Sequence, residues 1–293
     1  MQKRNSLQRL GAAAMTLALG GLGLQAGATD LKLGSDSPSR RGTLAVGLTD
    51  DQRLVVFSLE TPSRSKEIGA VTGLAGDTRL VGIDYRPSNG FLYALGNAGG
   101  VYTIDESTAV ATLRVNVPQA LLGANFDVDF NPVVDRMRVV SDAGQNLRVN
   151  VADGSTSVDP NLNVGGVVTT GVSGAAYTNN DTDANTATTL FDVDASLDQV
   201  AIQSPANNGT LAPTGKLTID AGADVGFDIY SRIKNGVVDR RRAYLVATVA
   251  GDKGAENNVY RINLLTGRAT KTGKLRTASP VVDLAIPTDS LVP

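Results

Sequence analysis

The fold is decided by FDVDFNPVVDRMRVVSD, residues Phe126–Asp142, once this run is set over an earlier one. Ile83-Asp84-Tyr85-Arg86-Pro87 aligns with Val128-Asp129-Phe130-Asn131-Pro132 at an offset of 45 residues. The register then continues without a gap. Leu92–Leu95 falls on Met137–Val140, Ala98-Gly99 on Ala143-Gly144, and Ile104 on Val149. Self-similarity at such a period marks a repeat architecture. Each unit reads as strand, proline turn, strand, glycine turn, strand and a fourth, more polar strand. Pro87 and Pro132 preset φ for the first turn.

Two looser copies follow. Gly174-Ala175-Ala176-Tyr177-Thr178-Asn179 opens the third, with Leu190–Asp194 and Val200–Gln203 as its next strands. Val225-Gly226-Phe227-Asp228-Ile229-Tyr230 opens the fourth, with Ala243–Val249 and Asn258–Leu264 after it. Thr214-Gly215-Lys216-Leu217 recurs as Thr272-Gly273-Lys274-Leu275, closing each of these copies. Short β-branched runs between turn residues, with no sustained period near 3.6, make the chain all-β.

The ends complete the pattern. Thr43–Leu48, Arg53–Leu59 and Lys66–Thr72 are three strands with no opening strand before them. Val281-Val282-Asp283-Leu284-Ala285-Ile286-Pro287 is an opening strand with nothing after it. One missing and one left over predict a ring whose C-terminal strand joins the first blade, a closure that removes exposed edges. Opening strands near residues 82, 127, 174, 226 and 282 give a β-propeller of about five four-stranded blades over 43–288. A closed sandwich and a six-bladed ring are the alternatives.

Outside the ring, Lys3, Arg4 and Arg9 precede a mostly apolar stretch from Leu10 to Leu24, and Ala26-Gly27-Ala28 follows. That order reads as a signal peptide over 1–28, because the glycine-rich run is short for a bilayer span of roughly 20 apolar residues. Residues 29–42 read as a flexible lead-in and 289–293 as a tail. The expected product is exported, to the periplasm or the medium, with no membrane span left after cleavage. Loss of 1–28 removes three basic and no acidic side chains, leaving 24 basic against 29 acidic. Such a balance disfavours nucleic acid as a partner, since duplex binding rests on phosphate neutralisation. Arg240-Arg241-Arg242 reads as a solvated loop.

The chain has no cysteine and no histidine. The first absence leaves the core alone to hold the fold. The second removes serine–histidine–aspartate catalysis and the commonest zinc, copper and haem ligands. What remains is carboxylates, lysine, tyrosine, or a hard cation held by oxygen.

The block Asn125–Asn150, NFDVDFNPVVDRMRVVSDAGQNLRVN, resembles the bacterial domain-of-unknown-function family numbered 4394. The similarity extends through Gly82–Pro87, Ala176–Asn180 and Gly226–Ile229, covering nearly all of 43–288 in order. It implies an exported, propeller-like bacterial protein. The family carries no assigned activity, so no catalytic residue is transferred.

Aligned opening strands place Asp84, Asp129 and Asp228 at one position, with Ala176 and Ala285 in the other copies. Asp127 and Asp283 share the position two earlier, beside Gly82, Gly174 and Gly226. Residues two apart on a strand point the same way, so these five carboxylates should gather at the propeller axis. There they are candidates for binding a ligand or a cation such as calcium, or for sharing a proton at raised pKa. Their recurrence favours an architectural role, because buried carboxylates must find hydrogen-bond donors. No resident metal or other cofactor is expected, calcium being the one possibility kept open.

Asn179–Asn185 contains a D-x-D-x-N run but departs from a calcium loop. Counted from Asp181, the sixth position is Thr186 where glycine is needed, and the twelfth is Asp192 where glutamate is needed. It reads as an exposed hairpin loop. Tyr85, Tyr102, Tyr177 and Tyr230 read as blade packing. The expectation is a non-catalytic module that binds a small ligand or an envelope protein. The rival is a calcium-dependent hydrolase of the propeller lactonase or esterase type.

Overall fold

The computed structural model describes residues 43–235, 237–251 and 254–288. The segments read as signal peptide, lead-in and tail lie outside the described residues.

Five four-stranded antiparallel sheets form the blades of a β-propeller. Blade I pairs Val281–Ala285 with Leu44–Thr49, Arg53–Ser58 and Lys66–Ala70. Blade II holds Leu80–Tyr85, Leu92–Gly96, Gly100–Asp105 and Val110–Asn116. Blade III holds Phe126–Asn131, Arg136–Ser141, Asn146–Val149 and Thr156–Val158. Blade IV is Val172–Tyr177, Leu190–Asp194, Gln199–Gln203 and Leu211–Lys216, and blade V is Val225–Lys234, Val237–Gly251, Gly254–Ile262 and Ala269–Lys274. The first strand of each set is innermost.

The C-terminal strand closes the ring as expected. Ala285 pairs with Val46, Leu284 with Gly47 and Asp283 with Leu48. Inner strands then touch in an unbroken circle from blade I through II, III, IV and V back to I. An apolar cluster fills each gap between neighbouring blades. Leu48, Ile83 and Leu92 lie in the I–II gap, for example, and Phe57, Tyr244 and Leu284 in the V–I gap. The core is thus distributed around the axis, and stability depends on every junction.

Two features depart from the sequence reading. The blade V hairpin is longer than expected: its second strand runs from Val237 to Gly251. Arg240, Arg241 and Arg242 therefore sit on that strand, opposite Arg232, Ser231 and Tyr230, and form no loop. Arg242 faces Glu60 at 3.6 Å, and Arg241 donates to the Asn179 side chain. Loop residues Thr182–Asn185 are exposed, as expected, while Asn179 is buried. Among the described residues, no helix is long and apolar enough to cross a membrane.

Candidate functional site

An innermost strand pairs on one side only, so alternate N–H groups along its free edge face the axis unpaired. Buried amides of that kind require acceptors. The five aspartates meet this need by a simple rule. Asp283 Oδ2 accepts from Ile83 N at 2.7 Å, joining blade I to II. Asp84 Oδ2 accepts from Phe130 N at 2.9 Å, joining II to III. Asp127 Oδ2 accepts from Ala175 N at 2.8 Å and Asp129 accepts from Tyr177 N, both joining III to IV. Asp228 Oδ2 accepts from Ile286 N at 2.6 Å, joining V to I. In every case the donor lies one residue beyond the equivalent position on the next blade.

Four of these carboxylates also accept the N–H of their own following residue: Tyr85, Val128, Ile229 and Leu284. The aspartates therefore act as ties between consecutive blades. The blade IV to V junction lacks one, because Gly174 and Ala176 occupy its two positions. Ser231 Oγ serves nearby, accepting from Asn179 N at 3.1 Å. Glycine in the earlier position permits close approach of strands. A Cβ on Gly226 would lie 2.5 Å from Asp283 Cα.

All five carboxylates are buried. Asp84, Asp129 and Asp228 each bring one oxygen within 4.8 Å of the others. Desolvation first, and then the neighbouring aspartates, push Asp84, Asp127 and Asp129 well above the usual carboxylate range. Desolvation also raises Asp283 well above that range and Asp228 to about 7, against the pull of their amide donors. The structure thus brings Asp84, Asp129 and Asp228 into one cluster, while Asp127 and Asp283 lie outside it but near enough to act electrostatically on its members and on each other. A carboxylate offers about four lone-pair sites, so each tie leaves capacity for a cation or a proton. A hard cation fits this all-oxygen set, although calcium needs roughly 6–8 oxygen ligands and would draw the remainder from water or carbonyls. The cavity at the axial mouth beside Asp283 is small, about 30 Å³. That is room for water or an ion, since one water needs about 10–15 Å³.

Asp127→Ala removes the acceptor for both Ala175 N and Val128 N. With each stranded amide costing about 1–3 kcal/mol, the expected loss is about 2–5 kcal/mol in urea unfolding. Asp127→Asn keeps one acceptor oxygen and should cost less. Equal stability of Asp127→Ala and the parent chain would remove the tie from the account.

Sequence reasoning did not select a second polar group, in the gap between blades III and IV. Arg138 is 1% exposed yet sits within a hydrogen-bonded set of Tyr177, Asn146, Asp159 and Asn207. Strand parity gave no signal, because both faces of this strand are packed, Met137 and Val139 on one side and Val140 on the other.

Fold and axis together define a five-bladed β-propeller whose blades are tied by inner-strand aspartates. Within that class the chain belongs to the family Domain of unknown function (DUF4394), matched over residues 53–285. No curated protein matches it. Among solved structures, one from a nidogen/laminin complex superposes with a TM-score of 0.50 at 10% identity, covering 84% of this chain and 98% of that one. An auxiliary nutrient binding protein from Bacteroides thetaiotaomicron gives 0.45 at 10% identity, covering 85% of this chain and 62% of that one. A structural genomics protein of unknown function from the same organism gives 0.47 at 11% identity, covering 87% and 67%. At 10% identity, the likeness to the nidogen/laminin structure is one of fold alone.

Proposed function

We propose that the protein is an exported, non-catalytic propeller that binds a small ligand or a protein of the cell envelope. One observation carries this reading. Among the described residues, the carboxylate cluster that could support acid–base work is buried and engaged in holding backbone amides of adjacent blades. The cavity beside Asp283 at one end of the axis, about 30 Å³, is sized for water or an ion. Export is supported by the charged, apolar and small-residue order of residues 1–28. Every described strand lies within 44–285, so cleavage there leaves all five blades whole.

The calcium-dependent hydrolase is kept as a second reading, because Asp84, Asp129 and Asp228 converge within 4.8 Å. The two are separated by melting the mature protein with chelator and with millimolar calcium, then repeating both with Asp129→Asn. The binding-module reading expects no calcium effect, and destabilisation by Asp129→Asn in both conditions. A ligated cation expects calcium stabilisation, since a ligand of the folded state alone raises stability. That gain would vanish in Asp129→Asn. Calcium-dependent turnover of a lactone or aryl ester by the parent chain would sink the non-catalytic reading.

A further inference from the structure

Blade III presents an unusual face to blade IV. Arg136 and Arg138 lie two apart on its second strand, and Arg148 is the cross-strand partner of Arg138. Asn131 is the partner of Arg136 on the other side. Between these residues and Tyr177, Ala206 and Asn207 of blade IV lies a cavity of about 350 Å³. That volume falls at the lower end of small-molecule sites, which run about 300–1,000 Å³. None of its lining side chains is acidic.

The charges of this wall do not balance. Asp159 Oδ2 accepts from Arg138 Nη1 at 2.7 Å and from Arg148 Nε at 2.8 Å, while its Oδ1 accepts from Arg148 Nη2 at 2.9 Å. Two guanidiniums therefore share one carboxylate. Burial raises the pKa of Asp159, but the hydrogen bonds from both arginines outweigh it and bring the pKa below its ordinary value. Arg136 adds a third positive charge, and its Nη1 meets the backbone carbonyls of Asp135 and Val134 at 3.1 and 3.4 Å. The neighbouring Asp135 pairs with Arg86 at 2.8 Å, and the charge of Arg136 also reaches Asp135 and Asp153, so four guanidiniums meet three carboxylates here. Asp192, fully buried on blade IV, does not restore the balance. Burial lifts it to about 8 against the attraction of Arg138, which favours its uncharged form.

The donors are also held ready. Of the five N–H groups of a guanidinium, Arg138 directs Nε to the Tyr177 hydroxyl and Nη1 to Asn146 and Asp159. Its Nη2 reaches Asn207 Oδ1 at 2.8 Å, which leaves one Nη2 hydrogen over. The Tyr177 hydroxyl accepts from Arg138 Nε at 3.2 Å, so its own proton is left to donate. Fixing donors before binding reduces the ordering cost of association. Arg136 and Arg148 are half-buried, so solvent screens their charge only in part and an anion seated between them would complete it.

We propose that this cavity binds a small organic oxyanion, a carboxylate or a phosphate ester, through Arg136, Arg148 and the remaining hydrogens of Arg138 and Tyr177. Val134 and Ala206 meet the carbon skeleton, and the Asn207 amide nitrogen is free for a neighbouring hydroxyl. The assignment rests on the binding-module reading and deepens it.

The test is calorimetry on the mature protein at pH 7 and low ionic strength. The probes are citrate, glucose 6-phosphate and inorganic phosphate, with glucose and sodium chloride of matched ionic strength as controls. At least one organic anion should give a saturable isotherm, tighter than inorganic phosphate, and the two probes separate carboxylate from phosphate ester. Losing one charge-assisted contact in Arg136→Gln should weaken it about tenfold or more. Arg136 is used because it carries no buried ion pair, and an unchanged melting temperature confirms that the variant folds. Arg148→Gln serves as the second variant. The proposal fails if neither organic probe saturates beyond the salt control, if inorganic phosphate binds as tightly as both, or if neither variant changes the affinity. Lactone turnover by the parent chain would overturn the non-catalytic reading while leaving these isotherms to be read on their own.

Discussion

A chain ended at Pro280 should fail to form the ring. The lost strand supplies Val281, Leu284, Ala285 and Ile286, each no more than 3% exposed. Burying a valine, leucine or isoleucine contributes about 1.5–3 kcal/mol, so these side chains alone account for roughly 5–8 kcal/mol. The truncation also removes the pairing partner of Leu44–Thr49, the Asp283 tie to Ile83, and the Ile286 donor to Asp228. Native domains are stable by only about 5–15 kcal/mol in total. Leu44–Thr49 would become a free, apolar edge, which invites aggregation. The expected result is no cooperative melt by circular dichroism, together with rapid proteolysis. A peptide spanning Val281–Thr288 added in trans should restore part of the protection. A truncated chain that melts cooperatively at the parent temperature would show that the ring does not depend on its closing strand.

That closure was legible because an unmatched strand at each end of a repeat array has one economical solution. The alignment of Asp84, Asp129 and Asp228 was equally plain, since the repeat fixes register and strand alternation fixes the facing. What the alignment could not show was the partner of each carboxylate. The tie runs from one blade to the next, as from Asp84 to Phe130, and this depends on how inner strands stack around the axis. Arg138 and Arg148 were hidden for a different reason. They face each other across two strands of blade III, but the cavity beside them exists only once blade IV brings Tyr177 and Asn207 against them. Arg240–Arg242 was rightly read as solvent-facing and wrongly as a loop, because three consecutive arginines resemble a solvated run. On a two-residue period, however, they alternate, and Arg241 finds Asn179 while Arg242 finds Glu60.

Stability should fall as pH rises from about 5 to 9. Asp84, Asp127, Asp129 and Asp283 are held well above the usual carboxylate range, with Asp228 near 7 and Asp192 near 8, desolvation being the first cause for each. A group whose folded pKa is raised gives stability that is fully present below its unfolded value, about 3.9. That stability is lost as pH climbs through the folded value, because the native state then binds more protons than the unfolded chain. One pKa unit equals about 1.4 kcal/mol. Asp228 and Asp192 alone should therefore remove on the order of 7 kcal/mol across this window. At about 2–4 °C per kcal/mol for a domain of this size, the melting temperature should drop by roughly 10 °C or more. Asp135 and Asp159, held low by Arg86 and by the Arg148 and Arg138 pair, have the opposite sign. Their contribution is lost only as pH falls through their depressed values, which places the optimum near pH 4–5. Asp192→Asn isolates one term, since neither oxygen of Asp192 has a hydrogen-bond partner. The variant should match the parent at pH 5 more closely than at pH 8.5, where it should be the more stable of the two. A parent melting temperature that rises between pH 5 and 9 would mean that the axial carboxylates are ionised and compensated, by their amide donors or by a bound cation. Calcium stabilisation lost in Asp129→Asn would then identify it.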